Sequence, residues 1–331
     1  MRFVYLLIVV AMGALATGSV RADQDRFTFD FPLKCALGSS CWIVNYVDML
    51  PGQGVMDYMC GDATYDAPPK KQHKGTDIAI RDMAGMRLGV PVYAAAAGRV
   101  LGQRDGVQDV GVNAPVQGRE CGNAVRIQHD NALVTQYCHM RKGSVLVSVG
   151  DRVARGQTLG MVGLSGLTNF PHLHFQVERA TALIDPFAGL DRQKACGAGE
   201  KSLWDDTTLA RFPYRPTAIY NAGFAAQKPD LKALRDGVYT DRAIPPRAPA
   251  LVMWAEFFRV RGGDQIKFTI KGPGGGNVHT QTVAIKTDKV RYFAYSGRRA
   301  KSPWPVGTYS GEVTLIRGAK TFTARRLMKV R

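Results

Sequence analysis

The chain has 331 residues, 45% of them hydrophobic, with 44 Lys+Arg against 27 Asp+Glu and a net charge of +17. Such a surface attracts polyanions in general. The basic residues are scattered, with short clusters such as Lys70-Lys71 and Arg298-Arg299, and no RNA- or DNA-binding motif is present, so nucleic acid is excluded as the expected partner.

Residues 1–22 read as a secretory signal: Met1-Arg2, an apolar run from Phe3 to about Thr17, and Val20-Arg21-Ala22 as an A-x-A-like cleavage site. The run is short for a membrane span, no second long apolar run follows, and no cysteine sits at the cleavage site to carry a lipid. The expectation is an exported protein, periplasmic or secreted, with no stable membrane anchor after cleavage. Losing Arg2 and Arg21 and no acid leaves a mature charge of +15. For such a protein the cell wall or a membrane surface is the natural anion.

Residues 23–66 are irregular, with Cys35 and Cys41 close together and the loop "LPGQG". Residues 67–190 carry short apolar runs punctuated by glycine, such as "GVPVYAAAAGRVLG", "NAVRIQH" and "ALVTQYCHM", the pattern of an all-β domain. Residues 191–243 form a polar linker in which "PDLKALRDG" suggests a short helix. Residues 244–331 alternate with period two: Ile266, Phe268 and Ile270 share a face, as do Val313 and Leu315. They read as a small immunoglobulin-like β-sandwich. Its aromatics (Trp254, Phe257, Phe258, Tyr292, Trp304) are assigned to the core, and His279 to solvent.

The six cysteines suit an oxidising compartment and up to three disulfides, with fifteen pairings open. Cys35 and Cys41 are near enough to close a small loop. Cys121 and Cys138 flank two strands that turn at His129-Asp130-Asn131, which would set them face to face. Cys60 and Cys196 remain by elimination. A thiolate zinc site lacks the close pairs it requires.

Five of the six histidines lie between residues 73 and 174, in "HKGTD", "YCHM", "PHLHF" and the turn at His129. On a strand, His172 and His174 share one face. A hydrolytic zinc site takes three ligands from His and Asp/Glu and keeps an open position for water, with further imidazoles for proton transfer and oxyanion support. The chain supplies that inventory without surplus.

The segment from about Tyr65 to Leu190 resembles the M23 family of zinc metallopeptidases, the lysostaphin and LytM type. The motifs are H-x-G-x-D as "HKGTD", Y-x-H as "YCH" and H-x-H as "PHLHFQVE"; "VSVGDRVARGQTLGMVG" looks like the family's glycine-rich strand pair, and "IDPFAGL" closes the domain. The resemblance implies a mostly β, antiparallel-sheet peptidase domain. It implies one Zn2+ held by His73, Asp77 and His174, with His139 and His172 as catalytic histidines. It further implies an exported zinc metalloendopeptidase that cuts the peptide cross-links of peptidoglycan, with metal-bound water as nucleophile. The alternative, a catalytically silent regulator or wall-binding module on the same fold, is disfavoured by the complete ligand set. His129 has no counterpart and reads as a polar hairpin residue; Tyr137 is either a cleft wall or strand packing. The chain departs from the family at Asn169-Phe170, where Thr-Gly is usual, and in the long loop "QRDGVQDVGVNAPVQGRE"; both are expected at the cleft border.

Overall fold

A computed structural model describes residues 26–331 except 51, 53, 68–70, 114, 191–195 and 241–242. The expected signal sequence and cleavage site, residues 1–22, lie outside the described residues. The chain is mostly β, with antiparallel sheets and a few short helices.

The first large sheet is built from β1 (Cys41–Asn45), β2 (Gly75–Ile80), β3 (Gly98–Arg104), β4 (Asn123–Gln128), β5 (Leu133–Met140) and β6 (His172–Arg179). Their spatial order is β1-β2-β6-β5-β4-β3, with the short strand Arg152–Val153 beyond β3 and Ala182–Ile184 on β6. The glycine-rich segment does not pair with itself as the sequence suggests. Arg152–Val153 joins the large sheet, whereas Thr158–Met161 pairs with Pro91–Tyr93.

Every residue of β1 and β2 is buried, because both faces of this edge are covered. Cys41, Ile43, Ile78 and Ile80 enter the main core with Tyr137, Phe175 and Trp204. Trp42, Val44 and Ala79 on the opposite face pack against Ala218, Tyr220 and Phe258 of the C-terminal unit.

That unit holds β7 (Ala218–Ala225), β8 (Ala250–Val260), β9 (Gln265–Lys271), β10 (Asn277–Ala284), β11 (Lys289–Arg299), β12 (Gly307–Arg317) and β13 (Lys320–Val330). The sheet β7-β8-β11 and a five-stranded sheet containing β13-β12-β9-β10 enclose one core, including Phe257, Met253, Phe268, Val313 and Leu315. Strand β7 falls within the segment that the sequence leaves as linker. It is a fully buried strand that the apolar pattern "AIYNAGFA" shows only in hindsight. Trp254, Phe257, Phe258 and Trp304 are buried, and His279 is half-buried with Nε2 2.6 Å from Ser296 Oγ rather than solvated. The helix in "PDLKALRDG" is present as Leu231–Arg235, capped by the Asp230 side chain.

Three disulfides form: Cys35–Cys41, Cys60–Cys196 and Cys121–Cys138. The last clamps the β4–β5 hairpin beside the histidines. Cys60–Cys196 ties the N-terminal segment to the chain beyond the large sheet.

Candidate metal centre

Strand pairing sets His174 opposite Asp77 and His172 opposite Ala79, so the alternate residues of β2 and β6 present one polar face. His73 lies just before β2. His73 Nε2 stands 3.1 Å from Asp77 Oδ1, and His174 Nδ1 stands 2.8 Å from the same oxygen. The three offer ligand atoms that all lie within 4.8 Å of one another. His73 and Asp77 are buried and His174 partly so.

Hydrogen bonds fix which imidazole nitrogen is presented. His73 Nδ1 donates to Tyr46 O at 2.7 Å, which leaves Nε2 as the lone-pair atom. That Nε2 is buried with no hydrogen-bond partner. A buried, unsatisfied nitrogen facing a carboxylate and a second imidazole costs free energy unless a cation fills the space between them. The donor set therefore fits a divalent metal of the kind that takes nitrogen and oxygen ligands. Tyr65 stacks on His73 at 4.4 Å between ring centroids and holds the ring in place.

His139 and His172 flank the trio, with ring centroids 4.6 Å apart. His139 shares strand parity with Tyr137, which points into the core, yet it lines the groove on the other face. Its φ of +62° turns the side chain over, and the β4–β5 register shifts at this point. A non-glycine residue in the left-handed region is uncommon and costs about 1–3 kcal/mol, which the surrounding sheet must offset. His139 Nδ1 donates to Ser165 O at 2.8 Å. His172 Nδ1 lies 3.0 Å from Phe170 O and 3.1 Å from Thr168 Oγ1, and its Nε2 is 3.4 Å from Asp77 Oδ1.

The electrostatics follow from this crowding. Burial would raise the Asp77 carboxyl, but His73 and His172, with hydrogen bonds from His172 and His174, hold it well below the usual carboxylate range. Burial lowers His139 well below its ordinary value, and His172 and His174 add to the effect. Burial also lowers His174. The site therefore holds an ionised carboxylate beside two imidazoles, His139 and His174, that resist protonation.

A groove of about 610 Å³ opens over these residues. Val116, Gln117 and Glu120 of the long loop line it, as the sequence suggests, together with Tyr65, Lys74 and Leu167. Phe170 stacks on His172 at 4.5 Å and 25° and touches Phe258 of the C-terminal unit. Of the two readings of Tyr137, packing holds. Its ring is fully buried beside Phe175, its hydroxyl accepts from Ala95 N–H at 2.8 Å, and burial pushes its phenol up to about 12. His129 sits at the predicted turn but is buried, bonded to Ala97 O and Thr135 Oγ1 and packed against Phe27 and Phe29. It takes no part in the centre.

Residues 71–186 match the family model "Peptidase family M23". The segment belongs to that family. Among curated proteins, the chain is 38% identical over 105 residues to peptidoglycan DD-endopeptidase ShyA of Vibrio cholerae, covering 32% of this chain and 20% of that one. It is 35% identical over 106 residues to peptidoglycan DD-endopeptidase ShyC of the same organism, covering 32% and 20%. The match thus spans about a fifth of the length of these relatives. Among solved structures, a zinc-containing peptidase from Vibrio cholerae is 25% identical, with a TM-score of 0.34, covering 48% of this chain and 39% of that one.

Two features of the centre escape sequence reasoning. One is the backbone inversion at His139, which no pattern in "YCHM" betrays. The other is Asn45, which donates from Nδ2 to Asp77 Oδ2 at 2.5 Å. It lies 32 residues upstream, outside every motif, and only the β1–β2 pairing brings it there.

Proposed function

We propose that this protein is an exported zinc metalloendopeptidase that hydrolyses peptide cross-links of peptidoglycan. The observation that carries the reading is the convergence of His73 Nε2, Asp77 Oδ1 and His174 Nδ1 on one point, with two further imidazoles beside it and a groove above. The likeness of part of the chain to ShyA and ShyC supports peptidoglycan as the substrate. The surplus of positive charge suits an anionic wall polymer, and three disulfides suit an oxidising compartment outside the cytoplasm. Among the described residues no helix is long and apolar enough to cross a membrane. We read the C-terminal two-sheet unit as an immunoglobulin-type sandwich.

His73, Asp77 and His174 would hold the zinc, leaving an open position. When bound there, zinc polarises a carbonyl and makes a water molecule acidic near neutral pH. His139, kept neutral by its burial and anchored at Nδ1 by Ser165 O, takes a proton at Nε2 and returns it to the leaving amine. His172, anchored at Nδ1 by Phe170 O, presents Nε2 beside Asp77 and, when protonated, donates to the developing oxyanion. The groove walls orient the peptide and exclude part of the bulk water.

Zymography on purified sacculi tests the reading. The mature chain should clear the substrate, lose that activity with a chelator and regain it with zinc. No clearing by a zinc-loaded chain would refute the enzyme and favour a silent module on the same fold.

A further inference from the structure

Strand β8 of the C-terminal unit alternates normally as far as Phe257, which faces its own core, and Phe258, which packs against the large sheet. Arg259 should then turn back into the core. It does not. Its φ is +50°, which inverts the backbone, and Val260 takes the core position instead. The inversion drives a buried guanidinium out of its own unit and under the M23 sheet. There Nη1 donates to Val44 O, Nη2 to Asn45 Oδ1 and, at 3.3 Å, to Thr64 O, and Nε donates to Asp62 O at 3.1 Å.

The chemistry of this contact has a direction. Arginine only donates, so the amide of Asn45 must turn its oxygen toward Arg259. Its nitrogen is then forced toward Asp77, where it donates to Oδ2. With Oδ2 so engaged, Oδ1 is the oxygen left to face His73 and His174. Without the guanidinium the amide could flip and set oxygen against oxygen beside a buried carboxylate.

We infer that Arg259 of the C-terminal unit is a positioning residue for the metal centre, acting through Asn45 to fix the orientation of Asp77. The C-terminal unit thus completes the centre from behind rather than serving only as an appended module. This inference rests on the zinc reading above. A strained non-glycine conformation costs about 1–3 kcal/mol, and such outliers cluster where surrounding structure uses them. Partners that orient a metal ligand are worth roughly 10–100-fold in metal affinity.

The test is a double-mutant cycle on the full mature chain with Asn45→Ala, Arg259→Lys and the combination, each titrated with zinc against a competing chelator. Lysine keeps the charge but not the fork that addresses Val44, Asn45 and Thr64 together. Each single variant should lose about 10–100-fold in zinc affinity, and the combination should lose no more than Asn45→Ala alone, because the two act in series. Thermal melting of the metal-free proteins, run in parallel, reports folding; Asn45→Ser replaces the alanine variant if that chain does not fold. Single variants that bind zinc within twofold of the parent, or effects that simply add, would overturn the relay. So would variants that all fail to fold, since the residues would then be structural only. A parent chain that takes up no zinc would instead sink the metal reading itself.

Discussion

Gly75, the glycine of "HKGTD", offers a sharp perturbation of the centre. It lies in β2 directly against β6, and a Cβ built on it would come within 2.6 Å of His174 Nε2, 2.8 Å of His174 Cε1 and 2.7 Å of Phe175 O. The carbonyl belongs to a strand in the middle of the sheet and cannot retreat without opening the β2–β6 pairing. Restoring an ordinary contact of about 3.4 Å requires a shift of about 0.8 Å in the ring, the strand or both. Overpacking of this kind costs about 1–3 kcal/mol of stability. A ligand misplaced by close to 1 Å lies outside the roughly 0.5 Å within which a working site must be held, and a slip of that size costs about 10²-fold in rate. Gly75→Ala should therefore remain folded, bind zinc at least about 10-fold more weakly and turn over about 10²-fold more slowly. Chelator competition, denaturant unfolding and hydrolysis of a soluble cross-linked muropeptide measure the three quantities. A Gly75→Ala protein with parental zinc affinity and turnover would refute the claim that this glycine exists to make room for His174.

His172→Ala and His139→Ala should keep about one zinc per chain and lose roughly 10²-fold or more in turnover, whereas His174→Ala should release the metal, as read by metal analysis of the purified variants. Equal zinc loss in the His172 and His174 variants would end that division of labour. Phe170→Ala removes the ring stacked on His172 and should lower kcat with little change in zinc content; a change confined to KM would place Phe170 in substrate binding instead. Breaking Cys60–Cys196, with a sequence separation of 136, should cost about 5 kcal/mol in the chain-entropy account, against about 2 for Cys35–Cys41 with a separation of 6. Equal losses in denaturant unfolding would argue against that account. Burial lowers His129 below its ordinary 6.5. The unfolded chain then takes the proton first, so stability should fall as pH drops below about 6.5, by at most about 1.4 kcal/mol per pH unit, until the folded-state value is reached. Melting curves of a His129→Gln variant should show a flatter dependence than the parent over that interval.

Several features of this protein were readable from the chain alone because they depend on local spacing. Period-two patterning marks Ile266, Phe268 and Ile270 as one buried face, and it sets His172 and His174 on one side of a strand. The turn between two apolar runs brings Cys121 to Cys138. The family motifs named the residues that converge at the centre, His73, Asp77 and His174. Other features depend on which surfaces meet, and no local pattern encodes that. β7 is buried because the opposite sheet of its own unit covers one face and the M23 sheet the other, so its sequence lacks the alternation of a half-exposed strand. His139 and Arg259 break the alternation that sequence reading assumes, each by a positive φ that only a crowded tertiary setting sustains. Asn45 and Arg259 lie 214 residues apart, and neither shows its use until the C-terminal sheet is docked against β1. The chemistry of the centre is thus written in short motifs, whereas its orientation is decided by long-range packing of two β units against each other.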